Sequence, residues 1–181
     1  MKILIVIAFI SIGLFSFNNI YTSSIYQQHF NSLDGSEVQL SQYQGKKMLL
    51  VNMASESPQA AVQIPQMEQL FQQYHDSVVV IGFFSNDFHN EPREDNALRL
   101  LMENNYHASF PCSGRIGVKD STGWTHPLFN WLQHKSENGM MNIKLGKDFQ
   151  KFLVDKTGRL IGVFGAQYNP MDPKIITAIT Q

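Results

Sequence analysis

The chain has 181 residues, 43% of them hydrophobic and 16% charged, with a formal net charge of −1. That balance describes one globular domain rather than a disordered chain, and the lack of a basic excess excludes a polyanion-binding surface and, with it, nucleic acid as a partner. The single cysteine, Cys112, can make neither an internal disulfide nor a cysteine-rich metal site.

After Lys2, the run from Ile3 to Phe17 is apolar apart from Ser11, Gly13 and Ser16. A positive charge followed by an apolar run of this length has the form of a signal-peptide core. It is short for a full membrane span of roughly 20 residues. Within a folded domain the same run would read as a buried helix or strand. Its place at the N-terminus predicts export instead, to the periplasm or to an anchorage on the membrane. Residues 1–23 are therefore expected to form a signal peptide or anchor plus linker, and residues 24–181 the folded domain.

Asp34-Gly35 is a turn signal between Gln28–Leu33 and Glu37–Leu40, which predicts a β-hairpin. A second turn over Gln44–Lys47 precedes the short apolar run Met48–Met53, a buried strand. Ser57-Pro58 has the form of a helix start, with a hydroxyl cap and proline in the first turn. Met67, Leu70, Phe71 and Tyr74 carry that helix onward, with a break or restart expected at Pro65. Ser77–Phe84 is a second buried strand and Pro92–Asn105 a second helix. A short helix over Pro127–His134, strands over Phe149–Val154 and Leu160–Phe164 around a Lys156–Gly158 turn, and a closing helix over Pro173–Ile179 complete the order. A β-α-β unit followed by a β-β-α unit predicts an α/β thioredoxin-like fold, a central mixed sheet flanked by helices.

Several blocks then fall in the order of a known family. Asp34-Gly35, Val38, Leu40-Ser41 and Tyr43–Lys46 resemble the opening hairpin of the glutathione peroxidase family. Val51–Ser55 resembles its VNVAS strand, Gly82–Phe88 its GFPCNQF segment, and Glu91-Pro92 the EP beyond it. Phe110-Pro111, His126–Leu128 and Lys151–Asp155 with Gly158 match further blocks. The resemblance spans residues 24–181. It implies the thioredoxin-like fold and thiol-dependent reduction of hydroperoxides, with a thiol reductant and a hydroperoxide as partners, no cofactor and no metal. Tetrameric family members carry a longer insertion between the positions of Leu132 and Phe149, so a monomer is expected.

The same resemblance locates the catalytic positions, and all four hold other residues. Two residues after VNVAS the family carries selenocysteine or cysteine; here stands Ser57. The glutamine of NQF is Asp87, and the Trp-Asn pair falls on Lys147 and Asp148. A resolving cysteine would fall near Met102. A serine oxygen cannot take a proton-coupled step to a sulfenic or selenenic acid, so peroxide reduction is expected to be lost or very weak, leaving a binding or structural role. As a capping residue Ser57 has a simple structural reading. The alternative is an active peroxidase through a displaced thiol, Cys112, whose simpler reading is a small packed hydrophobe. The six histidines are dispersed, with no pair at i, i+4 on a predicted helix. A hydrolytic arrangement of Ser57 with His89 and Asp87 has only weak sequence support.

Overall fold

The computed structural model describes residues 23–120 and 123–181. The leader and most of its linker lie outside the described residues. Strands β1 (His29–Asn31) and β2 (Glu37–Gln39) form the expected antiparallel hairpin. Gly35 turns it with φ at 85°, a left-handed conformation that favours glycine. The chain continues through β3 (Lys47–Met53), α1 (Ala60–Gln73), β4 (Val78–Phe84), α2 (Asp95–Leu101), β5 (Cys112–Ser113), α3 (Pro127–Gln133), α4 (Lys135–Asn138), β6 (Lys151–Val154), β7 (Leu160–Phe164) and α5 (Pro173–Thr180).

The main sheet has five strands in the order β5-β4-β3-β6-β7. β4 runs parallel to β3 and β5, while β6 is antiparallel to both β3 and β7. β3 and β4 are buried along their whole length because both faces are covered. Side chains alternate between faces. Leu49, Val51, Met53, Val80 and Phe84 pack with α1, α2 and α5, whereas Met48, Leu50, Ile81 and Phe83 pack with α3 and the hairpin's Phe30. Phe83 stands edge-on to Phe30 and Phe129, with ring centroids 5.1 and 5.4 Å away. This is the mixed sheet with helices on both faces and an N-terminal hairpin that the element order predicts.

Local departures have physical causes. Pro65 lies inside α1 without breaking it. One forgone N–H bond and the proline ring are tolerated where Ile64, Met67 and Leu70 bury the helix against the sheet. α1 begins at Ala60 rather than at Ser57. α2 widens after Leu101 into a π-helical turn over Met102–Tyr106 and ends at His107 in the left-handed region, φ 48°. The two-residue β5 and the four-residue α4 are too short to leave a periodic signal.

β6 begins at Lys151 because Phe149 adopts φ 62°, which no extended strand accommodates. Lys151 shares the α1-facing side with Leu153, by the same alternation. It is fully buried. Its Nζ donates to Gln63 Oε1 at 2.5 Å and to the Phe149 carbonyl at 2.7 Å. A neutral amine has two N–H donors, matching these two acceptors. Burial pushes the ammonium's pKa down to about 7 from 10.5.

That burial makes stability depend on pH in a defined sense. Between pH 7 and 10.5 the unfolded lysine binds a proton that the folded one does not, so stability rises with pH. The penalty is complete below the folded value and gone above the unfolded one. Denaturant melts of wild type and Lys151→Met across this window should diverge in the wild type's favour by about 1.4 kcal/mol per pH unit. A constant difference between the two proteins would show that Lys151 does not titrate there.

Candidate functional site

Parallel strands β3 and β4 end at the same edge of the sheet, and antiparallel β6 begins there. Three loops therefore converge: residues 54–59 after β3, residues 85–94 after β4, and residues 146–150 before β6. In open α/β sheets this carboxyl edge is where ligands bind.

The convergence is held by buried polar side chains. Asn52, fully buried at the end of β3, donates its Nδ2 to the Lys147 carbonyl at 3.2 Å and accepts the Gln150 N–H on Oδ1 at 3.1 Å. The Phe149 N–H donates to the Asn52 carbonyl at 2.7 Å. Glu91, also fully buried, accepts the Ser55 N–H at 2.6 Å and the Ser55 hydroxyl at 2.9 Å. Arg93 donates to the Ser55 hydroxyl at 2.8 Å and pairs with Glu56 at 2.8 Å. The Glu56 N–H donates to the Asn90 carbonyl at 3.0 Å.

Between these loops lies a cavity of about 250 Å³ lined by Ser57, Pro58, Gln59, Asn90, Lys147 and Asp148. Three of the four positions singled out by sequence thus come together. Ser57 does not cap α1. It sits in the turn before it, where the Ala60 N–H donates to the Ser57 carbonyl at 2.9 Å, and Gln59 is the residue at the helix start. Asp148 is 2% exposed. Its Oδ2 accepts from Asn90 Nδ2 at 2.7 Å, while Oδ1 is buried without a partner. Burial pushes its pKa up; the Asn90 hydrogen bond opposes that, Glu91's charge adds to it, and the Ser57 hydroxyl works the other way. Lys147 stands exposed on the rim.

Asp87 is the exception. It does not line the cavity. Its Oδ2 accepts the Val118 N–H at 2.6 Å and the Lys119 N–H at 2.8 Å, tying the loop after β4 to the segment beyond β5. A carboxylate answers two backbone donors better than the amide oxygen of a glutamine would, so Asp87 has a structural task. The polar group that the loop after β4 sends into the cavity is Asn90, which sequence reading passed over. The Glu91-Pro92 block beside it was the available signal. His89 does not line the cavity either, and the Asp87 carboxylate is engaged with backbone amides.

Cys112 is placed on β5 with its side chain buried and its Sγ donating to the Phe110 carbonyl at 3.5 Å. Burial pushes its thiol well above the ordinary range, and Glu68's charge adds to this. Such a shift disfavours the thiolate that a displaced peroxidatic cysteine would need. Cys112 packs as the small hydrophobe of its simpler reading. Of the two tryptophans, Trp131 is buried with its Nε1 donating to the Ser23 carbonyl, and Trp124 is exposed. Among the described residues no group of three or more His, Cys, Asp or Glu side chains is arranged to hold a metal. The cavity offers a hydroxyl, two amides, a carboxyl and an ammonium group. Each can bind by hydrogen bond or charge, and none is a peroxide-oxidisable atom.

Residues 25–133 match the family model described as glutathione peroxidase. The glutathione peroxidase homolog BsaA of Bacillus subtilis is 31% identical over 152 residues, covering 82% of this chain and 92% of that protein. The homolog of the same name from Staphylococcus epidermidis is 34% identical over 149 residues, covering 81% and 92%. Among solved structures, Trgpx in apo form superposes with a TM-score of 0.63 at 31% identity, over 88% of this chain and 97% of that one. A thiol:disulfide interchange protein from Chlorobium tepidum reaches 0.63 at 15% identity over 88% and 97%, a likeness of fold alone.

Two outcomes follow from this geometry. Asn52→Ala removes a buried clamp and leaves backbone groups of the 147–150 segment unpaired, so it should cost about 2 kcal/mol. Amide exchange at residues 147–150 should accelerate more than in the centre of β3; uniform acceleration would deny the clamp its local role. Cys112 in the folded protein should resist a thiol-specific reagent and react fully only in denaturant. Stoichiometric labelling of the native protein within minutes would contradict its burial.

Proposed function

The chain belongs to the glutathione peroxidase family, and from that premise we propose that it no longer carries out thiol-dependent peroxide reduction, or does so only very weakly, and acts through its pocket as a binding protein. The observation that carries this reading is Ser57. By resemblance it stands where the family places cysteine or selenocysteine, and it lines the cavity at the start of α1.

The chemistry supports the reading. Reduction of a peroxide requires a nucleophile that attacks the O–O bond, becomes a sulfenic or selenenic acid, and is then reduced by a thiol. A serine oxygen has no such intermediate. The chain's one cysteine lies on β5 with a buried side chain, and burial pushes its thiol well above the ordinary range. The remaining lining also departs from what the family reaction uses. Asp148, in the place of an asparagine, presents a carboxyl where an amide N–H would donate. An ionised carboxyl there would oppose formation of an adjacent thiolate.

Rates of hydroperoxide consumption with one thiol reductant test this. Wild type should not exceed Cys112→Ala. Ser57→Cys should yield a reactive thiol with slight turnover. Combining Ser57→Cys with Lys147→Trp and Asp148→Asn should raise turnover at least tenfold over the single change, since each restored donor in a preorganised site is worth one to several powers of ten. Wild-type turnover equal to that of the triple variant would refute the reading. Wild-type turnover abolished by Cys112→Ala would instead establish Cys112 as the peroxidatic thiol.

A further inference from the structure

We propose that the cavity between the N-terminal hairpin and the start of α3 is a second binding site, one that takes a neutral saccharide with a sugar ring lying on the indole of Trp124. It shares no lining residue with the cavity beside Ser57, so it stands or falls apart from the reading of that pocket.

The cavity measures about 430 Å³, inside the roughly 300–1,000 Å³ span of small-molecule sites. Its lining draws on three parts of the chain: Gln28, His29 and Asn31 at the hairpin, Arg115 after β5, and Trp124 and His126 ahead of α3. Trp124 is 61% exposed. A single exposed apolar residue is ordinary on a protein surface; this one is fixed in place at a cavity. A Cβ on Gly117 would collide with the Trp124 carbonyl oxygen and lie 3.0 Å from its Cε3, so glycine alone lets the indole take this position. The His126 N–H donates to the Gly117 carbonyl at 2.9 Å. The His126 ring, edge-on to the indole at 6.0 Å, is itself held by the Leu128 N–H, which donates to Nδ1 at 3.3 Å. An aromatic surface held ready in this way loses little freedom on binding.

The polar lining chooses among ligands. Arg115 Nη2 already donates to Glu94 at 2.7 Å, and the Arg115 N–H to Asp95 Oδ1 at 2.9 Å. His29 stands 4.0 Å from Glu37, and burial favours the neutral form of His126. An ionic ligand therefore finds no dedicated counter-charge. His29 and Asn31 share the outward face of β1, opposite buried Phe30. The carboxamides of Gln28 and Asn31 each present donors and an acceptor. A hydrocarbon aromatic ring would cover the indole and leave these groups unpaired against it, at a cost. A sugar ring has a C–H face for the indole and hydroxyls, each both donor and acceptor, for the amides and imidazoles.

Maltose, cellobiose and trehalose are the probes, each titrated into the full chain and followed by calorimetry and by indole fluorescence. At least one should bind saturably at micromolar to millimolar concentration and change the emission. Trp131 is buried, so the emission change should vanish in Trp124→Phe while weaker binding persists. Trp124→Ala should lower affinity about tenfold or more. Gly117→Ala displaces the indole without altering a lining residue and should weaken binding several-fold. Absence of saturable binding by all three sugars would overturn the proposal, and so would affinity unchanged in Trp124→Ala or in Gly117→Ala. Saturable binding of indole without binding of the sugars would also overturn it, by assigning the site to aromatic ligands.

Discussion

Asn52 is the constraint on which the site depends. Its side chain is sealed at the end of a central strand, where an unpaired amide would cost on the order of 1–3 kcal/mol. It finds its partners in the backbone of Lys147 and Gln150. Those two bonds, with the Phe149 N–H donating to Asn52's own carbonyl, hold Phe149 in the left-handed conformation that turns the chain into β6. The same geometry delivers Lys147 and Asp148 beside Ser57. Glu91 does the corresponding work for the other two loops by gathering the N–H and hydroxyl of Ser55. The scaffold of the pocket is thus a set of buried polar contacts independent of which atom sits at position 57.

That independence would let the fold and its edge pocket coexist with the changed lining that the family resemblance implies. Replacing a thiol by a hydroxyl at Ser57 touches none of the bonds made by Asn52 or Glu91. Asp87 is a bracket for the amides of Val118 and Lys119. Asp148 and Asn90 form a polar pair of their own at the cavity wall. The outcome is a pocket lined by hydrogen-bonding groups.

Much of the fold was legible in the sequence because its signals are local. Met48–Met53 and Ser77–Phe84 are continuous apolar runs of strand length, and Asp34-Gly35 specifies a hairpin turn. The order of these pieces led to the correct sheet. Features decided by tertiary contacts were not legible. Pro65 reads as a breaker until Ile64, Met67 and Leu70 are seen buried against the sheet. Phe149 reads as the first residue of a strand until the Asn52 carbonyl claims its N–H. β5 exists because Cys112 and Ser113 reach β4, a pairing that leaves no pattern in two residues. In the site, the family blocks pointed to Ser57, Lys147 and Asp148, which do meet. They pointed equally to Asp87, whose carboxylate answers backbone donors more than 30 positions away. Asn90 and Asn52 resemble ordinary polar residues in sequence, and their roles follow only from the buried groups they satisfy.

The central claim is that the pocket has kept its frame and lost its reacting atom. The most direct measurement is a single-turnover one. Folded wild-type protein is mixed with one equivalent of hydroperoxide and no reductant, residual peroxide is followed, and the protein is probed for sulfenic acid at Cys112. The account predicts that the peroxide persists at the rate of the protein-free control and that Cys112 remains a thiol. Rapid loss of one equivalent of peroxide, with an oxidised sulfur that a thiol then restores, would contradict it.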